Sequence, residues 1–131
     1  MFIGRLHLII FVSDVVRSTA FYKDMLGFGF KGFWDAPNNR IVESWNDSSQ
    51  PDYAELFVGD NRIGLRPTGN VVPASAVECS IEVDDVDALF RSLADKGMIV
   101  PGPVKQPWGA RTLTIEDPDG HVWHFFQHLA A

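Results

Sequence analysis

The feature that most constrains this chain is an internal repeat. Val12-Ser13-Asp14-Val15 is matched by Val83-Asp84-Asp85-Val86, 71 positions further along the sequence. In both copies an apolar run precedes the match, an acidic residue suited to cap a helix lies within it, and a glycine suited to end a helix follows, at Gly27 and at Gly97. Each half therefore predicts a strand, a capped helix and then about three strands.

The hydrophobic patterns predict where these elements lie. In the first half we expect a helix ending at Met25 and strands at 5–12, 28–34, 53–58 and 62–67. Both faces of the first strand are mostly apolar, which predicts that the strand is covered on both sides. Segment 35–52 has loop composition, and 41–45 within it is either a strand or part of a loop over a ligand. In the second half we expect strands at 77–83, from 98, at 111–116 and at 122–127, with a helix from 86.

Length, charge and cysteine content narrow the class of protein. The 131 residues predict one domain, with half-modules at about 1–70 and 74–131. A formal charge of −6 argues against nucleic acid or an anionic membrane as the main partner. Cys79 is the single cysteine, which excludes an internal disulfide and fits a reducing compartment. With no apolar run long enough to span a bilayer, we expect a cytoplasmic protein.

The repeat also predicts a candidate site. If the halves are related by a pseudo-two-fold axis, equivalent positions converge near it. The offset of 71 carries His7 onto Glu78, and a looser match of the last strands sets Gly64 opposite His124. Two imidazoles and one carboxylate suit a divalent metal such as Zn, Mn, Ni or Fe. The alternative is that His7 and His124 are hydrogen-bonded core residues and Glu78 is a solvated carboxylate.

Five further residues are candidates. Glu82 shares its strand face with Glu78 and is either a general base or a surface carboxylate. Trp108 is either an aromatic wall for a ligand or a plug for the sheet edge. Arg66 and Arg111 either hold an anionic substrate or are ordinary exposed strand arginines. Phe11 either lines a ligand site or belongs to the core or a dimer interface.

Several motifs together carry a resemblance to a known family. They are Val12-Ser13-Asp14 with Ser18, Phe21-Tyr22 and Leu26-Gly27-Phe28 in the first half, and Val83-Asp84-Asp85-Val86, Pro107-Trp108-Gly109, Arg111 and Asp117-Pro118-Asp119-Gly120-His121 in the second. On these residues the chain resembles the vicinal oxygen chelate superfamily, the glyoxalase/bleomycin-resistance/dioxygenase fold, over nearly its whole length outside about 36–52. The resemblance implies an α+β fold in which two tandem βαβββ modules form a cupped, half-barrel-like mixed sheet with helices on the outside.

The resemblance also implies where a metal would lie. Metal-dependent members place ligands on the first, fifth and eighth strands, and glyoxalases add one on the fourth. These positions match His7, Glu78, His124 and Gly64. The usual order His, His, Glu is here His, Glu, His, and Gly64 has no side chain to offer, which argues against a glyoxalase I activity.

Two functions follow as expectations. The first is a divalent-metal-dependent enzyme (a lyase, isomerase, transferase or dioxygenase) acting on a small oxygenated substrate. The alternative is a metal-free dimeric protein that binds an antibiotic or another small molecule, since metal-free members of the superfamily exist. The acidic charge and the stretch Pro107-Trp108-Gly109-Ala110-Arg111, which resembles bleomycin-resistance-like sequences, favour this alternative. Both expectations include a small-molecule partner and a homodimer.

Overall fold

The chain divides into two compact units in a computed structural model that describes residues 1–73 and 77–130. The units are Met1–Val72 and Pro73–Ala131. Residues 74 and 131, the predicted limits of the second half-module, lie outside the described residues. In the described part of the chain, no helix is long and apolar enough to cross a membrane.

The first unit is a five-stranded sheet with one helix. The helix α1 (Val15–Ala20) starts where the Asp14 side chain accepts from the amide of Arg17 at 3.0 Å. It continues into a π-helical turn, Phe21–Met25, and Gly27 then adopts a left-handed φ of 77°, as predicted. The elements are β1 (His7–Val12), α1 (Val15–Ala20), β2 (Gly29–Asp35), β3 (Arg40–Val42), β4 (Ala54–Val58) and β5 (Asn61–Pro67), in the sheet order β1-β5-β4-β2-β3.

The two faces of this sheet differ sharply in burial. Ile10 and Val12 of β1 are buried on the same side as the core residues of β4 and β5. On the other side His7 is exposed and Phe11 is 52% exposed. The prediction that β1 is covered on both faces is therefore wrong for the single chain. The helix α1 packs on one face only, and hydrogen-bonded polar side chains occupy the other.

The second unit is a four-stranded sheet with one helix. The Asp85 side chain caps the helix α2 (Val86–Asp95) by accepting from the Ala88 amide at 2.9 Å, and Gly97 follows the helix with a left-handed φ of 85°. The elements are β6 (Cys79–Glu82), α2 (Val86–Asp95), β7 (Val104–Lys105), β8 (Ala110–Glu116) and β9 (Val122–His128), in the order β6-β9-β8-β7. The strand expected from Met98 is absent among these described residues and only 104–105 pairs, because Pro101 and Pro103 have no amide hydrogen for a ladder.

The pairing registers reproduce the repeat inside each unit. In the first, β1 runs parallel to β5 with Ile9 opposite Gly64. In the second, β6 runs parallel to β9 with Ser80 opposite His124. Since Ile9 and Ser80 differ by the same 71 positions as the sequence match, Gly64 and His124 are equivalent, as the looser alignment predicted. The α+β class, with one βαβββ module per half and the short β3 added to the first, is confirmed.

Candidate functional site

A closed set of hydrogen bonds covers the face of the first sheet that points away from α1. His7 Nε2 lies 2.9 Å from the Tyr53 hydroxyl, which lies 2.9 Å from Glu55 Oε1. Arg62 completes the set, with Nη2 at 3.1 Å from His7 Nδ1 and Nη1 at 3.4 Å from Glu55 Oε1. We call His7, Tyr53, Glu55 and Arg62 the polar circuit.

The chemistry of the donors determines the direction of each bond. A guanidinium can only donate, so His7 Nδ1 must accept from Arg62 and carries no hydrogen. The ring hydrogen is then on Nε2, which donates to the Tyr53 oxygen, and the Tyr53 hydroxyl donates to the Glu55 carboxylate. Both ring nitrogens of His7 are therefore used within the polar circuit.

Charge and burial reinforce the circuit. Glu55 is only 8% exposed, and its carboxylate is balanced by Arg62 and by Lys31 Nζ at 3.6 Å. Burial, and the hydrogen bond to Glu55, raise the pKa of Tyr53 to about 12. The Tyr53 hydroxyl is thus held as a donor throughout the physiological pH range.

The missing side chain of Gly64 leaves the space that the Tyr53 ring occupies. A Cβ at position 64 would lie 2.5 Å from Tyr53 Cε1 and 2.8 Å from the Tyr53 oxygen, too close for a real contact. The ring occupies the space that the equivalent residue of the second unit, His124, fills with its own side chain. The strand position that carries an imidazole in one half is thus covered by a neighbouring tyrosine in the other.

These contacts do not fit His7 as a metal ligand. Coordination needs a free lone pair on a neutral imidazole, and the only one on His7 faces the Arg62 guanidinium at 3.1 Å. A divalent ion there would have to displace a permanent cation and open the polar circuit. Within each unit, the described residues contain no group of three or more His, Cys, Asp or Glu side chains that could hold a metal.

In the second unit, Glu78 and His124 lie together. His124 Nδ1 is 2.8 Å from the Thr114 hydroxyl, and its Nε2 is 3.3 Å from Glu78 Oε2. Nε2 is inaccessible to solvent yet makes no hydrogen bond of acceptable angle with the described residues, so the 3.3 Å approach to Glu78 is a close contact rather than a hydrogen bond. Glu78 immediately precedes β6 and its side chain is 72% exposed. The structure thus brings Glu78 to His124, while the three-residue metal centre stays a prediction.

Glu82, the last residue of β6 and four residues after Glu78, repeats this arrangement with His128. Its Oε2 lies 3.8 Å from His128 Nε2, and both side chains are well exposed. The ring of Phe126 lies edge-on to His128, with centroids 5.3 Å apart. Exposed Glu116 lies on the same sheet face, since it pairs with Val122. The face of the second sheet away from α2 is therefore acidic, and a general-base role for Glu82 stays a prediction.

An open groove of about 490 Å³ runs along the β7–β8 edge of the second sheet. Its lining is mainly apolar, with Ile99, Val104 and Val122, and also includes Thr112 and Thr114. The remaining lining residues are Met98, Val100, Pro101, Gly102, Gln106, Ile115 and Glu116.

The other candidates fall in different settings. Phe11 and Arg66 are register partners on β1 and β5, and Arg66 lies over the Tyr53 ring with its Cζ 5.7 Å from the centroid. Trp108 is 70% exposed in the turn between β7 and β8. Arg111 lies on the face of the second sheet that packs against α2, and its guanidinium donates two hydrogen bonds to Asp87, at 2.9 and 2.8 Å. A ligand role for Arg111 stays a prediction, and its observed contact joins β8 to α2.

Sequence reasoning missed Tyr53, Glu55 and Arg62. The hairpin was predicted, but none of its polar side chains was assigned to the site. One signal was available: alternation along the hairpin places Tyr53 and Glu55 on one face, and a parallel β1–β5 pair sets His7 beside Arg62. The bonds of the circuit follow from no spacing in the sequence.

Comparisons with known proteins identify the family. The sequence profile of the Glyoxalase/Bleomycin resistance protein/Dioxygenase superfamily matches residues 4–125. A bleomycin resistance protein from Geobacillus stearothermophilus is 27% identical over 136 aligned positions, covering 90% of this chain and 92% of the relative.

Two solved structures share the fold. TioX from Micromonospora sp. ML1 superposes with a TM-score of 0.73 at 23% identity, covering 96% of this chain and 99% of that one. TnmS3, an antibiotic binding protein from Streptomyces sp. CB03234, superposes with a TM-score of 0.70 at 23% identity, covering 98% of both chains. Since the profile spans most of the sequence and the fold agrees, the chain belongs to the Glyoxalase/Bleomycin resistance protein/Dioxygenase superfamily.

Proposed function

We propose that this chain is a metal-independent, small-molecule-binding protein of the bleomycin-resistance type. The observation that carries the proposal is the polar circuit, in which both nitrogens of His7 are used and the lone pair of Nδ1 faces Arg62. A curated relative named for bleomycin resistance, aligned over most of both chains, supports the same reading. Binding would protect a cell by sequestering the drug, and needs no chemical step.

The exposed sheet faces supply suitable surfaces for a ligand. On the first sheet, exposed Phe11 and Phe57 flank a row of polar groups. On the second, the acidic face and the groove beside β8 combine apolar walls with carboxylates. Aromatic and apolar walls with a few oriented polar groups are typical of small-molecule sites. Cytoplasmic location and a homodimer remain part of the proposal.

Thermal unfolding with added ligand tests the proposal. The protein, treated with chelator and then freed of it, is heated with bleomycin-class drugs and separately with Zn²⁺, Mn²⁺, Ni²⁺ or Fe²⁺. Ligand at about 100 times its Kd adds about 2.7 kcal/mol to the free energy of unfolding, which gives a clear rise in melting temperature. We expect a drug to raise it and the metals to leave it unchanged. Stabilisation by a stoichiometric metal, with no drug effective, would refute the proposal.

A second candidate, a metal-dependent enzyme, is favoured by one observation. Glu78 and His124 are both metal-ligand types, and the buried Nε2 of His124 lies 3.3 Å from Glu78 without an acceptable hydrogen bond. If this candidate is right, Glu78 and His124 hold the ion, which would polarise oxygens of a bound substrate. Metal analysis of wild type beside Glu78→Gln and His7→Gln separates the readings. This candidate requires stoichiometric metal that is lost in Glu78→Gln.

A further inference from the structure

Arg66 is flanked by aromatic rings on both sides. On β1 its register partner is Phe11, which is 52% exposed. On the other side, Tyr53 precedes Ala54, the residue that pairs with Leu65, and the Arg66 guanidinium lies over the Tyr53 ring at 5.7 Å. We call Phe11, Arg66 and Tyr53 the arginine patch. It lies on the open face of the first sheet.

The guanidinium of Arg66 is available to a ligand. Arg66 is exposed, and its contact with the Tyr53 ring is the one interaction that its side chain makes with the described residues 1–73 and 77–130. No carboxylate of those residues lies within ion-pair distance of it. This contrasts with Arg62, Arg40 and Arg111, each of which meets an acidic side chain. The five N–H donors of Arg66 thus remain to be satisfied by solvent or by a bound group.

The polar circuit holds the arginine patch in place. Gly64 leaves room for the Tyr53 ring, and His7 and Glu55 fix its hydroxyl from two sides. A fixed ring beneath Arg66 restricts the guanidinium through a cation–π contact, which lowers the cost of ordering it around a ligand. The polar circuit therefore positions a ring beneath Arg66, a role that does not involve a metal ion.

The surrounding charge favours an anion. Lys31, Arg62 and Arg66 share this face with Glu55, whose carboxylate already accepts from Tyr53 and meets Arg62 and Lys31. A guanidinium matches a carboxylate with two parallel hydrogen bonds, and the adjacent phenyl ring of Phe11 offers a flat apolar contact.

We propose that the arginine patch binds the carboxylate end of a planar aromatic acid. The carboxylate accepts two hydrogen bonds from Arg66 while the aromatic body of the ligand packs against Phe11. The inference goes beyond the proposed antibiotic-binding function, because binding of an aromatic acid is measurable whether or not any drug binds.

The test uses benzoate and 1-naphthoate as probes, with benzamide and 1-naphthamide as neutral analogues of the same shape. Calorimetry or chemical-shift titration of the intact chain gives each Kd. We expect the acids to bind and the amides to bind at least about tenfold more weakly. Arg66→Gln should weaken acid binding about tenfold or more, since a charge-assisted hydrogen bond contributes at least that factor. Arg66→Lys, which keeps the charge but not the fork, should fall between them.

Further variants separate this role from a structural one. Phe11→Ala should weaken 1-naphthoate more than benzoate, because the larger ring loses more contact. Arg40→Gln, a matched loss of an exposed arginine on the edge strand β3, should leave every Kd unchanged. Melting temperatures of all variants show whether each is folded. Equal binding of acids and amides, unchanged Kd in Arg66→Gln, or no binding of either acid to wild type overturns the inference. A drug that stabilises Arg66→Gln as much as wild type leaves the proposed function standing by itself.

Discussion

Gly64→Ala should destabilise the protein through one contact. The added Cβ would lie 2.5 Å from Tyr53 Cε1 and 2.8 Å from both the Tyr53 oxygen and Ile9 Cδ1. Ile9 Cδ1 is the end of a flexible side chain and can move at little cost. The Tyr53 ring cannot move without consequence, because its hydroxyl is bonded to His7 and to Glu55. The φ of Gly64 is not in the left-handed region, so the effect is steric rather than a backbone strain.

The size of the effect follows from what Tyr53 loses. Moving the ring away from position 64 breaks two side-chain hydrogen bonds of about 1 kcal/mol each, so we expect a loss of about 2 kcal/mol. For a domain of this length, 1 kcal/mol corresponds to about 3–5 °C, which gives a fall of about 6–10 °C in melting temperature.

Urea unfolding followed by tryptophan fluorescence measures this directly, since a changed midpoint at an unchanged slope reports stability alone. Gly69→Ala is the matched control, because a Cβ there meets nothing within 4 Å, and it should cost nothing. Repeating Gly64→Ala in a Tyr53→Ala background should remove most of the penalty. A Gly64→Ala protein within about 0.5 kcal/mol of wild type, the range of ordinary surface substitutions, refutes the reasoning.

Three further predictions concern single contacts. The pKa of Tyr53 is raised from 10.0 to about 12, so the neutral hydroxyl stabilises the folded protein fully below pH 10. This stabilisation is lost as the pH rises towards 12. Denaturation followed across this range should show that loss in wild type and not in Tyr53→Phe. The hydrogen bonds from Arg111 lower the pKa of Asp87, so the ion pair stabilises the protein above the ordinary Asp pKa of 3.8 and this stabilisation is lost on acidification. Asp87→Asn should lower the melting temperature at pH 7 by a few degrees at most and reduce the fall in melting temperature at low pH. An unchanged acid profile would contradict this. Removing the cap of α2 with Asp85→Ala frees the Ala88 amide and should cost about 1 kcal/mol in urea unfolding, whereas Asp85→Asn, which keeps an acceptor, should cost much less.

The two halves use equivalent strand positions for different purposes. Glu55 and Gly64 are opposite each other in the first sheet, as Thr114 and His124 are in the second. In the first, a tyrosine fills the space over the glycine and joins an imidazole to a carboxylate. In the second, the imidazole lies on the last strand itself and meets Glu78 directly. A repeat of backbone has thus not produced a repeat of chemistry.

The sequence alone was enough for the local elements and the family. Asp14 and Asp85 start helices because a short carboxylate can accept from the first free amides, and Gly27 and Gly97 end them because glycine adopts positive φ at no cost. Such signals act over a few residues, and the two capping aspartates lie 71 positions apart. The family resemblance predicted the α+β class, and a looser match of the last strands predicted the equivalence of Gly64 with His124. The local rule failed from Met98, where the prolines outweighed the apolar pattern.

Only the tertiary structure decided which groups the candidate residues contact. His7 was a metal-ligand candidate on its residue type, but its nitrogens meet Tyr53 and Arg62, which are 46 and 55 positions away in the chain. Arg66 and Arg111 looked alike in sequence, yet Asp87 engages one while the other faces open surface beside Phe11. The physical reason is that coordination and ligand binding depend on unused donors and lone pairs. Which of these remain unused is known only when distant strands have been paired and their side chains oriented.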